Sequence, residues 1–146
     1  MSDWKIIEPE TTQNLEPNPS FEHGTTGWAT LGTNTIAQSS ERSKYGTYSL
    51  KCTYQDNVNL AYDTITLTAA AHSTSFWVYI PSDYDGTQLS LIMNAFTGAT
   101  GTTTVNADMT KTDQWQLLQA PNVVIDAGDL NGDIVLKETE IGRAHV

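Results

Sequence analysis

The chain has 146 residues and a mass of 16.0 kDa, the size of one ordinary domain, which excludes a multidomain enzyme. Charged residues make up 16 % of it, yet seventeen Asp and Glu stand against seven Lys and Arg, a net charge of −10. That balance excludes nucleic acid as a partner, because such binding draws its affinity from Lys and Arg neutralising phosphates, while a 38 % hydrophobic content with four Trp, six Tyr and three Phe supports a core at this length.

From the N-terminus, Met1 to Glu10 carries an acid at Asp3 and breaks its apolar run at Glu8. It has neither the basic nor the apolar region of a secretory signal, so the chain is expected in the cytosol where it is made. Residues 1–13 lack alternation and read as an N-terminal arm, within which Trp4-Lys5-Ile6-Ile7 has the composition of an edge strand. No stretch approaches the ~18 consecutive apolar residues of a membrane span.

Period-two alternation marks half-buried strands. The clearest case is Tyr48 to Tyr54, which puts Tyr48, Leu50, Cys52 and Tyr54 on one face and Ser49, Lys51 and Thr53 on the other. Ser75 to Ile80 is apolar or aromatic on both faces and stops at Pro81 before the turn Ser82-Asp83-Tyr84-Asp85-Gly86. Thr35–Ser39, Leu60–Leu67, Leu89–Phe96, Thr102–Val105, Gln114–Gln119 and Ile134–Lys137 are further predicted strands. Gly98–Gly101 and Asp108–Asp113 fall between them as loops, and His72, beside Ala69-Ala70-Ala71, is expected in a loop as well. No segment sustains a helical apolar stripe, and short strands at this spacing predict an all-β, antiparallel β-sandwich of the jelly-roll type. The lone cysteine, Cys52, excludes an internal disulfide framework and suits a reducing compartment. Its neighbours Lys51 and Thr53 point to the opposite face of the strand, which argues against a catalytic thiolate.

At the other end, Ile141-Gly142-Arg143-Ala144-His145-Val146 shows no period and no turn logic. The same six residues also read, codon for codon, as one frame of a common sequencing adapter. They are therefore expected to be a non-native tail to a domain spanning 14–140, whose final strand would then be missing; the alternative is a natural frayed tail.

Three segments together resemble a known family. Asn14-Leu15-Glu16-Pro17-Asn18-Pro19-Ser20-Phe21-Glu22, then Gly24-Thr25-Thr26-Gly27-Trp28, then Tyr45-Gly46-Thr47-Tyr48-Ser49-Leu50-Lys51 are similar to the opening of the β-jelly-roll carbohydrate-binding modules of families four and nine and their relatives. Ser75-Phe76-Trp77-Val78 and Asp113-Gln114-Trp115-Gln116-Leu117 follow in the same order, so the resemblance covers roughly 14 to 120. The residues agree with it physically. Pro17 and Pro19 suit entry at a sheet edge, and Gly24 and Gly27 permit a turn that delivers Trp28, expected as a core plug. The chain's start also resembles the beginnings of such domains in tailed-phage structural proteins, which implies a virion, or the host cytoplasm during assembly, as its location.

Sugars are held by rings stacked on their C–H faces and by side-chain hydrogen bonds. If Phe76, Val78 and Ile80 pack inward, Trp77 and Tyr79 share the outward face as a stacking platform, unless the arm or a neighbouring subunit covers them. In the resembled modules a concave sheet face carries the ligand, which implies Asn94 and Gln116 as polar flanks. Tyr62 and Tyr84 are weaker ring candidates. The resemblance also implies a structural calcium at Glu22, completed by an Asp of the last strand. A second calcium motif around Gly132 would use Asp129, Asn131 and Glu138, but Ala127 stands where the first carboxylate belongs, which favours a solvated turn.

No H-E-x-x-H, G-x-S-x-G, P-loop or cysteine pair is present, and Glu22 and His23, adjacent on a strand, face opposite ways. The expected function is thus non-catalytic: a carbohydrate-binding module of a phage tail or other virion protein, used in glycan recognition or adhesion. The alternatives are a structural or decoration domain contacting virion subunits, and the accessory module of a glycan-degrading enzyme. The net charge favours a neutral or basic glycan, or a protein subunit, over an acidic polysaccharide.

Overall fold

The computed structural model describes residues 14–55, 59–94, 104–125, 131–138 and 143–145. Among them are nine strands and no helix: β1 (Thr35–Ser39), β2 (Ser49–Thr53), β3 (Asn59–Thr66), β4 (Ala71–Tyr79), β5 (Leu89–Asn94), β6 (Thr104–Asn106), β7 (Trp115–Val124), β8 (Asn131–Glu138) and β9 (Arg143–His145). They form two antiparallel sheets, one ordered β1-β2-β9-β4-β7 and the other β3-β8-β5-β6, the β-sandwich that alternation predicts. The arm, the Gly98–Gly101 loop and Asp129 with Ala127 lie outside the described residues.

The core follows the inward face of each strand. Leu50 and Cys52 of β2, Val78 of β4 and Leu118, Ala120 and Val123 of β7 face Ala61 and Ile65 of β3, Leu89, Leu91 and Met93 of β5, and Ile134 and Leu136 of β8. Cys52 is fully buried among them, a packing residue. Trp28 closes one end as expected: it is buried, with ring centroids 5.5 Å from both Phe21 and Phe76. The entry segment is tied down by Asn18, whose side-chain amide donates to the carbonyls of Gly24 (3.0 Å) and Thr26 (3.2 Å).

Three expectations are corrected. His72 lies in β4, not in a loop, because the strand starts at Ala71 and pairs along its length with β7; its small, polar first half lacks the apolar signal of a strand. β7 runs through Pro121 to Val124 instead of ending at Gln119. It is an edge strand, and the register shifts between His72 and Thr74 opposite Pro121 and Asn122, the latter at φ 57°; a bulge on an edge accommodates a residue without an N–H. Residues 143–145, set apart as tail, form β9, which pairs with β2 from Lys51 to Thr53 and with β4 at Tyr79. Backbone pairing needs no side-chain period, so it left no trace in the sequence pattern.

Candidate functional site

The outward face of the five-stranded sheet gathers four aromatic residues, Tyr45, Trp77, Tyr79 and Trp115. Period-two geometry puts Trp77 and Tyr79 of β4 on this face, and the antiparallel register sets Leu117 and Trp115 of β7 directly opposite them. From the loop between β1 and β2, Arg42, Lys44 and Tyr45 reach over the same surface. Tyr45 meets Trp77 edge-on at 6.4 Å, and Tyr79 meets Trp115 at 5.6 Å. Lys44 Nζ sits 4.2 Å from the Trp77 ring centroid, and the Arg42 guanidinium carbon 4.4 Å from that of Tyr79. The result is two ring pairs, each carrying one cation.

The two predicted platform rings differ in access. Trp77 is half-buried, beside Tyr45 at 67 % and Leu117 at 44 % exposure. Tyr79 shares the face but is only 7 % exposed, so it is a support and not a stacking surface. Its hydroxyl accepts from Arg42 Nη1 at 2.9 Å and donates to Asp113 Oδ1 at 3.2 Å. Burial, with the Asp113 charge, pushes that hydroxyl above its usual pKa against the pull of Arg42. Asp113 is held below the usual carboxylate range chiefly by Ser82, through its side chain first and its N–H second, with Tyr79 and Arg42 adding to it. Lys44, Tyr45, Trp77 and Trp115, with Leu15 and Glu16 of the entry segment, line a groove of about 690 Å³ that reaches inward past Phe76 to Ile65 and Met93.

The predicted polar flanks are not brought to these rings. Asn94 ends β5 in the other sheet, paired with Asp133. Gln116 pairs with Val78, on the opposite face from Trp77, and its amide is spent on a loop: Oε1 accepts from Asp108 N at 2.8 Å, and Nε2 donates to the carbonyls of Asp108 (3.2 Å) and Lys111 (3.4 Å). Because Leu118 is inward, the period of two already places Gln116 inward. The missed residues are Arg42, Lys44 and Tyr45, whose arrival depends on how a loop folds over the sheet, and Trp115 and Leu117, which the same period identifies.

Glu22 is engaged by backbone donors on one of its two carboxylate oxygens. Its Oε1 accepts from the N–H groups of Thr47 (2.8 Å) and Tyr48 (3.0 Å), and no three His, Cys, Asp or Glu side chains converge among the described residues. Glu22 braces the corner before β2, where Gly46 at φ 73° leaves room for the carboxylate. Asn131 and Glu138, two ligands of the second calcium motif, are opposite ends of β8, roughly 23 Å apart along an extended strand and out of reach of one ion.

One polar pair was not foreseen. Asp63 of β3 points inward and is 7 % exposed, next to Glu16 from the entry segment. Burial pushes Glu16 up to about 7, reinforced by Asp63 and opposed by the Asn18 N–H and the Trp28 indole. Glu16 lines the same groove as Lys44, Tyr45, Trp77 and Trp115, on its entry-segment side.

No protein-family model and no curated protein matches the sequence. Solved structures do match its fold. The TmCBM61 module, solved with β-1,4-galactotriose, is 17 % identical with a TM-score of 0.66, covering 92 % of this chain and 93 % of that one. The C-terminal family 22 carbohydrate-binding module of Clostridium thermocellum Xyn10B is 13 % identical with a TM-score of 0.66, over 90 % and 91 % of the two chains. The enzymatically active domain of bacteriophage CBA120 tailspike protein 4 is 13 % identical with a TM-score of 0.63; 90 % of this chain matches 20 % of that one. The likeness is to the antiparallel β-sandwich that such modules share, and not to families four and nine in particular.

Proposed function

We propose that this chain is a non-catalytic carbohydrate-binding module that takes its glycan on the outward face of the five-stranded sheet. The observation that carries the reading is the aromatic strip, with Trp77 and the exposed Tyr45 beside a groove and with Tyr79 and Trp115 packed as its support. The sheet fixes the spacing of Trp77, Tyr79 and Trp115, which lowers the ordering cost of stacking a pyranose. Named neighbours of this fold bind xylan or galactotriose, which supports the substrate class. The tailspike likeness, together with the resemblance of the chain's start to phage structural proteins, supports display on a virion as an adhesion module. The exposed Tyr45 and Leu117 favour one second reading, a virion subunit contact through the same strip.

Affinity electrophoresis through gels containing soluble polysaccharides tests this. Wild type is retarded by at least one glycan, and Trp77→Ala loses about tenfold or more in affinity while keeping its fold, the cost of one stacked ring. A folded wild type that no polysaccharide retards, but that self-associates until Trp77 is replaced, would establish the subunit contact instead.

A further inference from the structure

We infer that the strip selects glycans bearing an anionic sugar, with Lys44 as the residue that reads the charge; this rests on the carbohydrate reading above. Whole-chain charge argues the other way, since the net value is −10. Recognition is decided locally, because exposed charges more than about 8 Å apart are largely screened at physiological salt. Within the strip the excess of acid is absent: Arg42, Lys44 and Lys51 on or beside this face match Glu41, Asp113 and Glu22 in number, and each of these carboxylates, like Glu16 across the groove, already has donors of its own. Glu41 pairs with Lys51 at 2.8 Å, Asp113 accepts from Tyr79 and Ser82, and Glu22 accepts from Thr47 and Tyr48. Among the described residues Lys44 has no ion-pair partner, and its ammonium rests on aromatic rings, 4.2 Å from the centre of Trp77 and 5.7 Å from that of Tyr45.

That position has a consequence for what can stack. The ammonium occupies the ring surface that a sugar needs, held there by the ring quadrupole. A neutral sugar must displace it and returns nothing for the lost contact. An anionic sugar draws the same ammonium onto its carboxylate or sulfate, replacing a cation–π contact with a charge-assisted hydrogen bond and baring Trp77 in the same motion. Lys44 thereby discriminates between sugars, and its long, flexible stem allows the excursion.

The test pairs each acidic polysaccharide with its uncharged counterpart: polygalacturonate, alginate and hyaluronate against their carboxyl-reduced forms, and chondroitin sulfate against desulfated material, with xylan as neutral control. Wild type is expected to bind a carboxylate-bearing or sulfated member and to lose about tenfold in affinity for its uncharged counterpart, the worth of one charge-assisted hydrogen bond. The uronate and sulfate arms identify the anion. Lys44→Ala should lose the same tenfold for the acidic glycan, Lys44→Arg should retain most of it, and neither should weaken binding of a neutral glycan. Retention by neutral glycans alone, indifferent to Lys44→Ala, overturns the inference and leaves the carbohydrate reading standing. Silence of the whole panel with a folded protein overturns both.

Discussion

Glu16 shows how far a single residue can depart from its apparent role in the sequence. In Asn14-Leu15-Glu16-Pro17 it reads as a polar residue of an entry segment, yet the fold sets it against Asp63 and raises it from 4.5 to about 7. A raised carboxyl pKa means that the folded chain holds the proton more tightly than the unfolded one. The stability this confers is present below about 4.5 and is lost as pH rises through about 7. Glu16→Gln removes the titration while its amide oxygen still accepts from Asn18 N. The variant should melt higher than wild type at pH 8, by roughly 1 kcal/mol after discounting for the partial exposure of the group, with the difference gone at pH 4. Equal melting-temperature gains at both pH values would show that Glu16 does not titrate with folding. Alternation alone could have placed Asp63 inward between Ala61 and Ile65, but not its neighbour, which comes from 47 positions earlier in the chain.

At the scale of elements, β7 and its neighbouring loop show how one residue type can serve packing when chemistry predicts binding. Gln116 follows Trp115 and precedes Leu117, a setting that suggests a flank to stacked rings. The register turns it to the other face, where it holds Asp108 and Lys111 in a loop that ends at Asp113, the partner of Tyr79. Gln116→Ala is therefore expected to cost about 1–2 kcal/mol, two or so net hydrogen bonds, and to lower the melting temperature by roughly 5 °C, with glycan affinity within about twofold of wild type because Gln116 does not reach the strip. A variant that melts like wild type but no longer binds would instead make Gln116 a ligand contact. The adjoining bulge carries the related point that Pro121 marks an interruption of pairing and not the end of a strand: on an edge, with Asn122 at positive φ, the strand resumes at Val123.

At the scale of the molecule, the proposed site is one face of one sheet, and on the carbohydrate reading a single such face would bind a sugar weakly. Display of several copies on a rigid fibre converts weak sites into firm attachment by effective concentration alone. Fusion of the domain to a trimeric coiled coil should raise apparent affinity for an immobilised glycan by at least about a hundredfold over the monomer, measured by surface retention. No gain, from a trimer whose arms can reach neighbouring glycans, would argue against adhesion by multivalency.

The residue pattern by itself determined the all-β class, seven of the eight predicted strands to within a few positions, the inward set of Leu50, Cys52, Val78 and Ile80, and the plugging role of Trp28, because period-two burial and turn chemistry are local properties of the chain. It also placed Trp77 and Tyr79 on one face. Only the tertiary structure decided that Tyr79 is covered while Tyr45 is open, that Asn94 and Gln116 are elsewhere, that Glu22 braces a corner, and that Lys44 rests on Trp77. Those outcomes depend on which strands become neighbours and on where a loop lies across a sheet. Such relations join residues tens of positions apart, and no local period encodes them.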